Sequence, residues 1–586
     1  SQGQATAMGA VTNKIQYIGR ITLDLTYDSG QDPYDQDPVA EELLQIARGQ
    51  DPAEYSRIIE EQPGWEKLYH LSPLRENIVE WLPMDKSMKV LEMGAGCGAV
   101  TGILSRKAGQ ADCLELSKKR SLINAYRHRD CGNITLHVGH FQDIEPSLPQ
   151  DYDYICLIGA FAYAPSYCPD GNPYVHFLDK LRAHLKEDGR IVIAMENKLG
   201  LKYWAGCKED HLGTWFAGIE DYPQGGGVRT FTRHGLEKIF QSCGIEEYAF
   251  YYPYPDYTFM TTLYSDAYLP KPGELSNNLR NFDQDRMVLF DEKKAFDNIL
   301  REGLFPLYAN SYLAVIGQKP DIHYVKYSND RQTAFRIRTQ IQPAGPAGAT
   351  GQDRTVPGCQ APRREAPPQP LSLAVRKYPL CQEAHAHIRS IETACQKLQA
   401  RYQGGALQVN RCKLVEEAPG QQPYVELEYV KGVTLAELLD ERLERRDMEG
   451  FLALFRHYLS LLDYHSETPV ADYDPIFSNI LVSPQNAAKP FDPLQGSTWT
   501  LIDYEWTLEK QVDTRELAFR AIYCYLLEDR KRNVLDPDLL LQELGITEEM
   551  AEEYRSREMA FQRSVTGQNC AMSELQSQIG HKCYRP

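Results

Sequence analysis

Residues 90–100 read VLEMGAGCGAV. An apolar run enters a turn holding Glu92, Gly94, Ala95, Gly96 and Gly98, and an amphipathic stretch, AVTGILSRKAG, leaves it. Glycine lets a backbone turn tightly and approach a ligand with no Cβ in the way. The order strand, turn, helix then repeats. QADCLELS, ITLHVGHF, YDYICLIGAF and RIVIAMEN read as strands, and KKRSLINAYRHRD and VHFLDKLRAHLKEDG as helices. Such a βαβ series predicts a Rossmann-like, doubly wound α/β sheet, with ligands bound beyond the C-terminal ends of its strands.

The second strand ends in Glu115, 23 residues after Glu92, and Leu116 follows. A carboxylate there can accept hydrogen bonds from both hydroxyls of a ribose. After the third strand, HFQDI brings Asp143 within reach of the exocyclic amine of an adenine. Turns that bind NAD follow GxGxxG; this one is E-x-G-x-G-x-G, with an acid at its start. In these motifs the chain resembles the class I S-adenosylmethionine-dependent methyltransferases over about residues 70–250. The resemblance implies that Glu92, Gly94, Ala95, Gly96 and Gly98 hold the methionine part of S-adenosylmethionine. It implies that Glu115, with Leu116, holds the ribose, that Asp143 holds the adenine, and that Gly159 joins the cofactor-binding set.

The acceptor side is less defined. After the fifth strand comes MENKLGLKYWAGCKEDHLGTWFAGIEDYP, with Glu196, Asn197, Lys198, His211, Trp215 and Glu220. His211 can serve as a general base for a hydroxyl; equally, His211 and Glu220 can cap helices or pair in a lid. Asn197, Lys198, Glu220 and Arg229 are candidate substrate ligands. Tyr69, His70 and Arg75, in LYHLSPLREN, precede the first motif and can cover the cofactor, although Tyr69 is as well explained by packing. This stretch also looks like methyltransferases of bacterial cell-surface polysaccharide loci.

At 586 residues the chain is too long for one core, so two or three domains are expected. The net charge of −18 argues against a nucleic-acid partner. The 14 cysteines show no CxxC pair and no zinc spacing. With no signal peptide read, they suggest reduced thiols and a cytoplasmic location. The longest apolar run, YICLIGAFAYA, is too short to span a bilayer, which leaves peripheral membrane association open. Helical patterning over 14–85, as in PVAEELLQIARG, predicts a helical cap at 1–85 ahead of a methyltransferase domain at 86–320 with an aromatic-rich substrate subdomain. Residues 342–370 are dominated by Pro, Gly and Ala and read as a disordered insertion inside one sheet. A second domain is placed at 321–530, and a helical extension at 531–586.

In that second domain, ADYDPIFSNILV at 471–482 sets Asp474 five residues before Asn479. LAVRKYP is a strand with Lys377 and, on the same face, Val375, which can lie against an adenine. EAHAHIRSIETACQKL is a helix, and of its acids Glu392, 15 residues after Lys377, is favoured to pair with that lysine. YVELEYVKGVTLAELL reads as strand, hinge and helix, with Glu428 and Val430 offering backbone groups to an adenine edge. WTLIDYEW ends a strand in Asp503. Transfer of a γ-phosphoryl needs a carboxylate at the attacking hydroxyl, here Asp474, and metal ions, here placed on Asn479 and Asp503. The region resembles the atypical kinases, a bilobal α+β fold, and the resemblance implies ATP and Mg2+ as ligands. Two features depart from the pattern. Asp472 stands where His is usual, and KYSNDRQTAF, with Ser328 and Asn329, replaces the glycine-rich phosphate loop.

A methyltransferase followed by a kinase resembles the bifunctional enzymes that terminate bacterial O-antigen polysaccharides. The resemblance implies a kinase that phosphorylates a sugar and a methyltransferase that methylates the phosphate or a sugar hydroxyl. For a phosphate acceptor, Lys198, Lys202 and Arg229 are the candidate cations. The partners expected are a glycan or glycolipid-linked sugar and a glycosyltransferase. Two other readings stand beside this one: an O-methyltransferase with a nucleotide-binding pseudokinase, and a non-catalytic scaffold for a glycosyltransferase complex.

Overall fold

The computed structural model describes residues 14–278, 282–345, 372–416, 418 and 421–586. The chain divides into two compact units, one of residues 1–325 and 570–586, the other of residues 326–569. No helix among the described residues is long and apolar enough to cross a membrane.

The first unit opens with β1 (Ile15–Ile18) and β2 (Ile21–Tyr27), a hairpin where helical patterning is expected. Ile21 and Leu23 alternate inward, and Gly19, at φ +55°, makes the two-residue turn. α1 (Pro38–Gly49), capped by Asp37, and α2 (Trp65–Leu71) follow. β3 (Lys89–Met93), β4 (Gln110–Glu115), β5 (Ile134–Gly139), β6 (Tyr152–Ile158) and β7 (Leu185–Glu196) are the parallel strands read from the sequence. α3 (Thr101–Lys107), α4 (Lys118–Arg127) and α5 (Pro173–Arg182) are the helices that cross between them. After α6 (Arg233–Ser242) come β8 (Tyr248–Tyr254), β9 (Thr262–Ser265) and β10 (Ser311–Ile316). The sheet order is β1-β2-β5-β4-β3-β6-β7-β10-β8-β9. β3 therefore lies at the middle of the parallel part, and the chain reverses direction across its C-terminal end, where open α/β sheets bind ligands.

The chain enters the second unit along β11 (Tyr324–Ser328) and continues through β12 (Ile337–Pro343) and β13 (Leu373–Pro379). β12 and β13 pair antiparallel from Ile337–Pro379 to Pro343–Leu373. Most of the expected insertion, residues 346–370, lies outside the described residues. α7 (His385–Tyr402), β14 (Cys412–Val415) and β15 (Tyr424–Glu428) follow, the strands running in the order β11-β12-β13-β15-β14, with Ile388, Ile391 and Leu398 of the helix buried. A second, mainly helical layer holds α8 (Leu435–Glu444), α9 (Met448–Asp463) and the β16 (Ile480–Pro484)–β17 (Ser497–Leu501) hairpin. α10 (Thr514–Glu528) and α11 (Glu548–Thr566) complete that layer.

The stretch after 530 is not one extension. Ala551 and Tyr554 of α11 sit in the core of the second unit, whereas residues 570–586 belong to the first. There Cys570 N–H donates to Glu60 Oε1 at 2.8 Å, Leu575 is buried with Leu43, Ile59, Cys97 and Phe282, and Cys583–Tyr584 pairs in parallel with Arg286–Met287. Deleting 570–586 is expected to remove about 2–4 kcal/mol from the first unit, the worth of one buried leucine plus a short strand pairing. Thermal scanning of the truncated chain checks this as one lowered transition beside an unchanged one.

Candidate active sites

In the first unit the glycine turn is pinned to its neighbour strand, since Gly94 N–H and Ala95 N–H both donate to the Leu114 carbonyl, at 2.9 and 3.2 Å. Gly96 has φ +57°, and a Cβ built on it would meet nothing within 4 Å, so the turn faces open space. Gly98 is the opposite case: at φ +87° its Cβ would lie 2.3 Å from Asn124 Oδ1, so only glycine lets α4 pack this closely. Glu115, at the tip of β4, accepts from Gly96 N–H at 3.0 Å with one oxygen and from Ser117 N–H at 2.8 Å with the other. Burial nevertheless raises its carboxyl above the usual range, against those backbone bonds. Leu116 is exposed beside it, and Asp143 is exposed in the turn after β5. The residues present fit the adenosine part of S-adenosylmethionine: an open turn, and a carboxylate at the ribose position.

Glu92 does not sit where the resemblance places it. It is 4% exposed and turns into the core, where Oε1 accepts from Thr101 Oγ1 at 2.5 Å and lies 3.5 Å from Cys113 Sγ. Burial pushes it up to about 7 despite those bonds. Glu92 therefore buttresses the turn from beneath. Arg75 is buried against the same turn, with its guanidinium 4.2 Å over the Tyr69 ring and donating to the Tyr69 carbonyl at 2.6 Å. Arg127 Nη1 donates to the carbonyls of His70 and Cys97, tying α2 to the turn. His70 is held neutral by burial and the nearby arginines, down at about 3.

A cavity of about 230 Å³ is walled by Tyr257, whose ring packs against Gly159. A Cβ on Gly159 would lie 2.8 Å from Tyr257 Oη, and Tyr257 lines the cavity with Trp65, Tyr69, Tyr163, Phe259 and Phe282. Among its polar walls are Glu196, His211, Asp256 and Asp283. Glu196 Oε2 lies 3.4 Å from His211 Nε2, Tyr163 Oη lies 3.1 Å from His211 Nδ1, and Tyr257 O–H donates to Glu196 Oε1 at 3.2 Å. Burial opposes charge on both partners of this pair. The attraction of Glu196 still holds His211 up at about 9, and His211 holds Glu196 down at about 2. Of the two readings of His211, the geometry favours the paired one over the free base, since Glu196 stabilises its protonated form.

The pair gives a pH test. The histidine contribution is complete below its ordinary 6.5 and fades as pH rises through 9. The glutamate contribution is complete above its ordinary 4.5 and fades as pH falls towards 2. The stability difference between wild type and His211→Gln is expected to be widest, about 3–5 kcal/mol, between pH 4.5 and 6.5. It should shrink on either side, as measured by denaturant unfolding at stepped pH.

Other expected substrate ligands lie elsewhere. Asn197 is fully buried and donates to the Leu307 and Ala309 carbonyls at 2.9 and 2.8 Å, a structural role. Lys198 and Arg229 both pair with Asp221, and neither lines the cavity. Glu220 is exposed and Trp215 donates to the Gly206 carbonyl, both outside the cavity. Lys202 does line it but is half-buried and paired with Asp210 at 3.6 Å.

In the second unit, residues far apart in sequence converge. Lys377 on β13 is 5% exposed and donates to Asp503 Oδ1 at 2.8 Å and Glu505 Oε2 at 3.2 Å. Burial disfavours its charge, but the two carboxylates more than compensate and raise it. Asp503 adopts φ +55°, a left-handed conformation that costs a non-glycine residue about 1 kcal/mol or more and clusters at functional sites. Asp474 accepts from Asn479 Nδ2 at 3.1 Å and pairs with Arg520. Burial, with repulsion from Asp503 and Glu505, lifts it to about 6 against the pull of Arg520. Asp472, in the place of the usual His, is buried, and its Oδ1 accepts from Asp474 N–H at 3.0 Å, bracing that backbone.

Glu392 does not pair with Lys377; its carboxylate accepts from Leu414 N–H. α7 instead turns His387 inward, with Nε2 3.0 Å from Glu505 Oε1. Glu428 pairs by its side chain with Arg411, its N–H donates to the Arg411 carbonyl at 2.9 Å, and its carbonyl accepts from Asn410 Nδ2 at 3.1 Å. Val430 follows in the segment leaving β15. Among the described residues no group of three or more His, Cys, Asp or Glu is set to hold a metal ion. An Asn–Asp pair such as Asn479 and Asp503 still fits Mg2+, which draws most of its ligands from water and phosphate oxygens.

The model of a family described as methyltransferase domain matches residues 65–247. The match spans the glycine turn, Glu115 and the Glu196–His211 pair, so the first unit carries a methyltransferase domain. No curated protein matches the chain. Among solved structures, a SAM-dependent methyltransferase from Archaeoglobus fulgidus is 11% identical with a TM-score of 0.26, over 47% of this chain and 99% of that one. A geranyl diphosphate C-methyltransferase from Streptomyces coelicolor is 14% identical with a TM-score of 0.26, over 48% and 98%. Scores this low do not bear on substrate.

Proposed function

We propose that the first unit binds S-adenosylmethionine across Glu115 and the Gly94–Gly98 turn and methylates a hydroxyl of a glycan seated in the aromatic cavity. The observation that carries this is the carboxylate of Glu115 bonded to Gly96 N–H, which fixes the ribose-binding group against the turn. S-Adenosylmethionine supplies an electrophilic methyl; the chain's own residues orient the acceptor and exclude water. Aromatic faces suit the C–H faces of a pyranose, and carboxylates such as Asp256 and Asp283 accept from its hydroxyls, one of them taking the proton that the attacking hydroxyl gives up as its oxygen gains the methyl. A phosphate acceptor is disfavoured because Lys198 and Arg229 are spent on Asp221, and Lys202 on Asp210.

The second unit is proposed to bind Mg-ATP and phosphorylate a sugar of the same glycan, with Asp474 at the attacking hydroxyl, Lys377 at the phosphates, and Asn479 and Asp503 at the metal. ATP supplies the phosphoryl group; the convergence of these four residues supports the reading. A glycosyltransferase that builds the glycan is the proposed partner. The test uses full-length chain, radiolabelled S-adenosylmethionine and a surface oligosaccharide with and without prior phosphatase treatment. Methylation of the phosphate-free oligosaccharide supports a hydroxyl acceptor, and methylation only of the phosphorylated one overturns it.

A further inference from the structure

We infer that Glu505 is the positioning residue of the second site, holding Lys377 and the 328–331 turn in place around the nucleotide phosphates. This rests on reading that unit as an ATP site. Glu505 is 7% exposed and uses both carboxylate oxygens. Oε1 accepts from Arg331 Nη1 at 2.8 Å and lies 3.0 Å from His387 Nε2. Oε2 accepts from Lys377 Nζ at 3.2 Å and from Arg331 Nη2 at 3.4 Å.

Two features of the sequence require such a residue. The turn Ser328–Asn329–Asp330–Arg331 has no glycine, so its backbone cannot fold closely over phosphates by conformational freedom alone. A two-pronged guanidinium–carboxylate pair fixes its far end instead. α7 also offers no acid to Lys377: His387 faces the cluster, and Glu392 is bonded to Leu414 N–H. Glu505 fills that vacancy from the segment that bears Asp503.

The division of labour follows from exposure. The Asp503 side chain is 40% exposed and accessible to a cation, whereas that of Glu505 is 3% exposed. Were Asp503 to hold a metal, Glu505 would still keep Lys377 oriented for the phosphates. Because Glu505 and Asp503 share one segment, alignment of the lysine does not depend on a swing of α7.

The test compares full-length wild type, Glu505→Gln, Glu392→Gln and the double variant Glu505→Gln/His387→Glu. Binding of ADP without metal and of Mg-ATP is read by calorimetry, beside thermal scans. Glu505→Gln is expected to weaken both ligands by about 10- to 100-fold. Glu392→Gln should change neither. The double variant, which returns an acid to the spot His387 occupies, should recover affinity to within about threefold, which a merely structural role would not produce. Wild-type affinity in a folded Glu505→Gln chain overturns the inference alone, as does a folded double variant that stays weak. If Glu505→Gln unfolds, the double variant decides, and failure of both to fold makes Glu505 a folding residue and overturns the inference. Absence of nucleotide binding in wild type overturns the ATP-site reading itself.

Discussion

Glu115→Ala is expected to weaken S-adenosylhomocysteine binding about 100-fold while leaving Mg-ATP affinity unchanged. A charged acceptor that bonds two ribose hydroxyls contributes about 1.5–3 kcal/mol per bond, and 100-fold corresponds to about 2.7 kcal/mol. Some of the effect comes through the turn. Gly96 N–H loses its acceptor and must find water, and Ser117 N–H, at the start of α4, loses its own. Calorimetry with S-adenosylhomocysteine measures the loss, and the Mg-ATP titration on the same protein shows that the second unit is intact. The same variant is expected to abolish measurable methyl transfer at cofactor concentrations that saturate wild type.

The second large effect is expected at Asp474. Asp474→Asn should lower phosphoryl transfer by about 10³-fold, the middle of the range for a general base, with Mg-ATP affinity changed by less than about threefold. In the proposed reading Asp474 faces the attacking hydroxyl, whereas Lys377, Asn479 and Asp503 serve the nucleotide and metal. The fold should survive, because Arg520 keeps Glu558 and the Tyr473 carbonyl when its pair with Asp474 is lost. Steady-state turnover beside calorimetric affinity separates the two quantities. A variant that loses both in proportion would place Asp474 in nucleotide binding.

Much of the first unit was legible because its signals are local. The E-x-G-x-G-x-G turn, the strand endings at Glu115 and Asp143 and the alternation of strand and helix depend on residues near one another in sequence. The direction of a side chain does not. Glu92 opens the motif, yet which way it points is set by Thr101 and Cys113 on neighbouring elements. His211 looks like a base in isolation; its partner Glu196 is 15 residues away, across the end of β7. The first hairpin was hidden because YIGRITLDLTY is short and sits before strongly helical stretches, although Ile18, Ile21 and Leu23 bury as strand residues do.

In the second unit Lys377 contacts Asp503 and Asn479 contacts Asp474, but the further acid beside Lys377 is Glu505 and not Glu392. A helix position says only that Glu392 is available. The choice of Glu505 is made by contacts 128 and 174 residues apart in sequence, to Lys377 and Arg331. α11 read as an appendage because its surface is densely charged, while only Ala551, Tyr554, Glu558 and Val565 are buried.

Two separate adenosine sites in one chain are tested most directly by thermal unfolding with S-adenosylhomocysteine and Mg-ATP, each alone and then together. At about 100 times the dissociation constant, each ligand should stabilise its own unit by about 2.7 kcal/mol. The account predicts two transitions that rise independently, each with one ligand, and both with the mixture. A scan in which neither ligand moves any transition would contradict it.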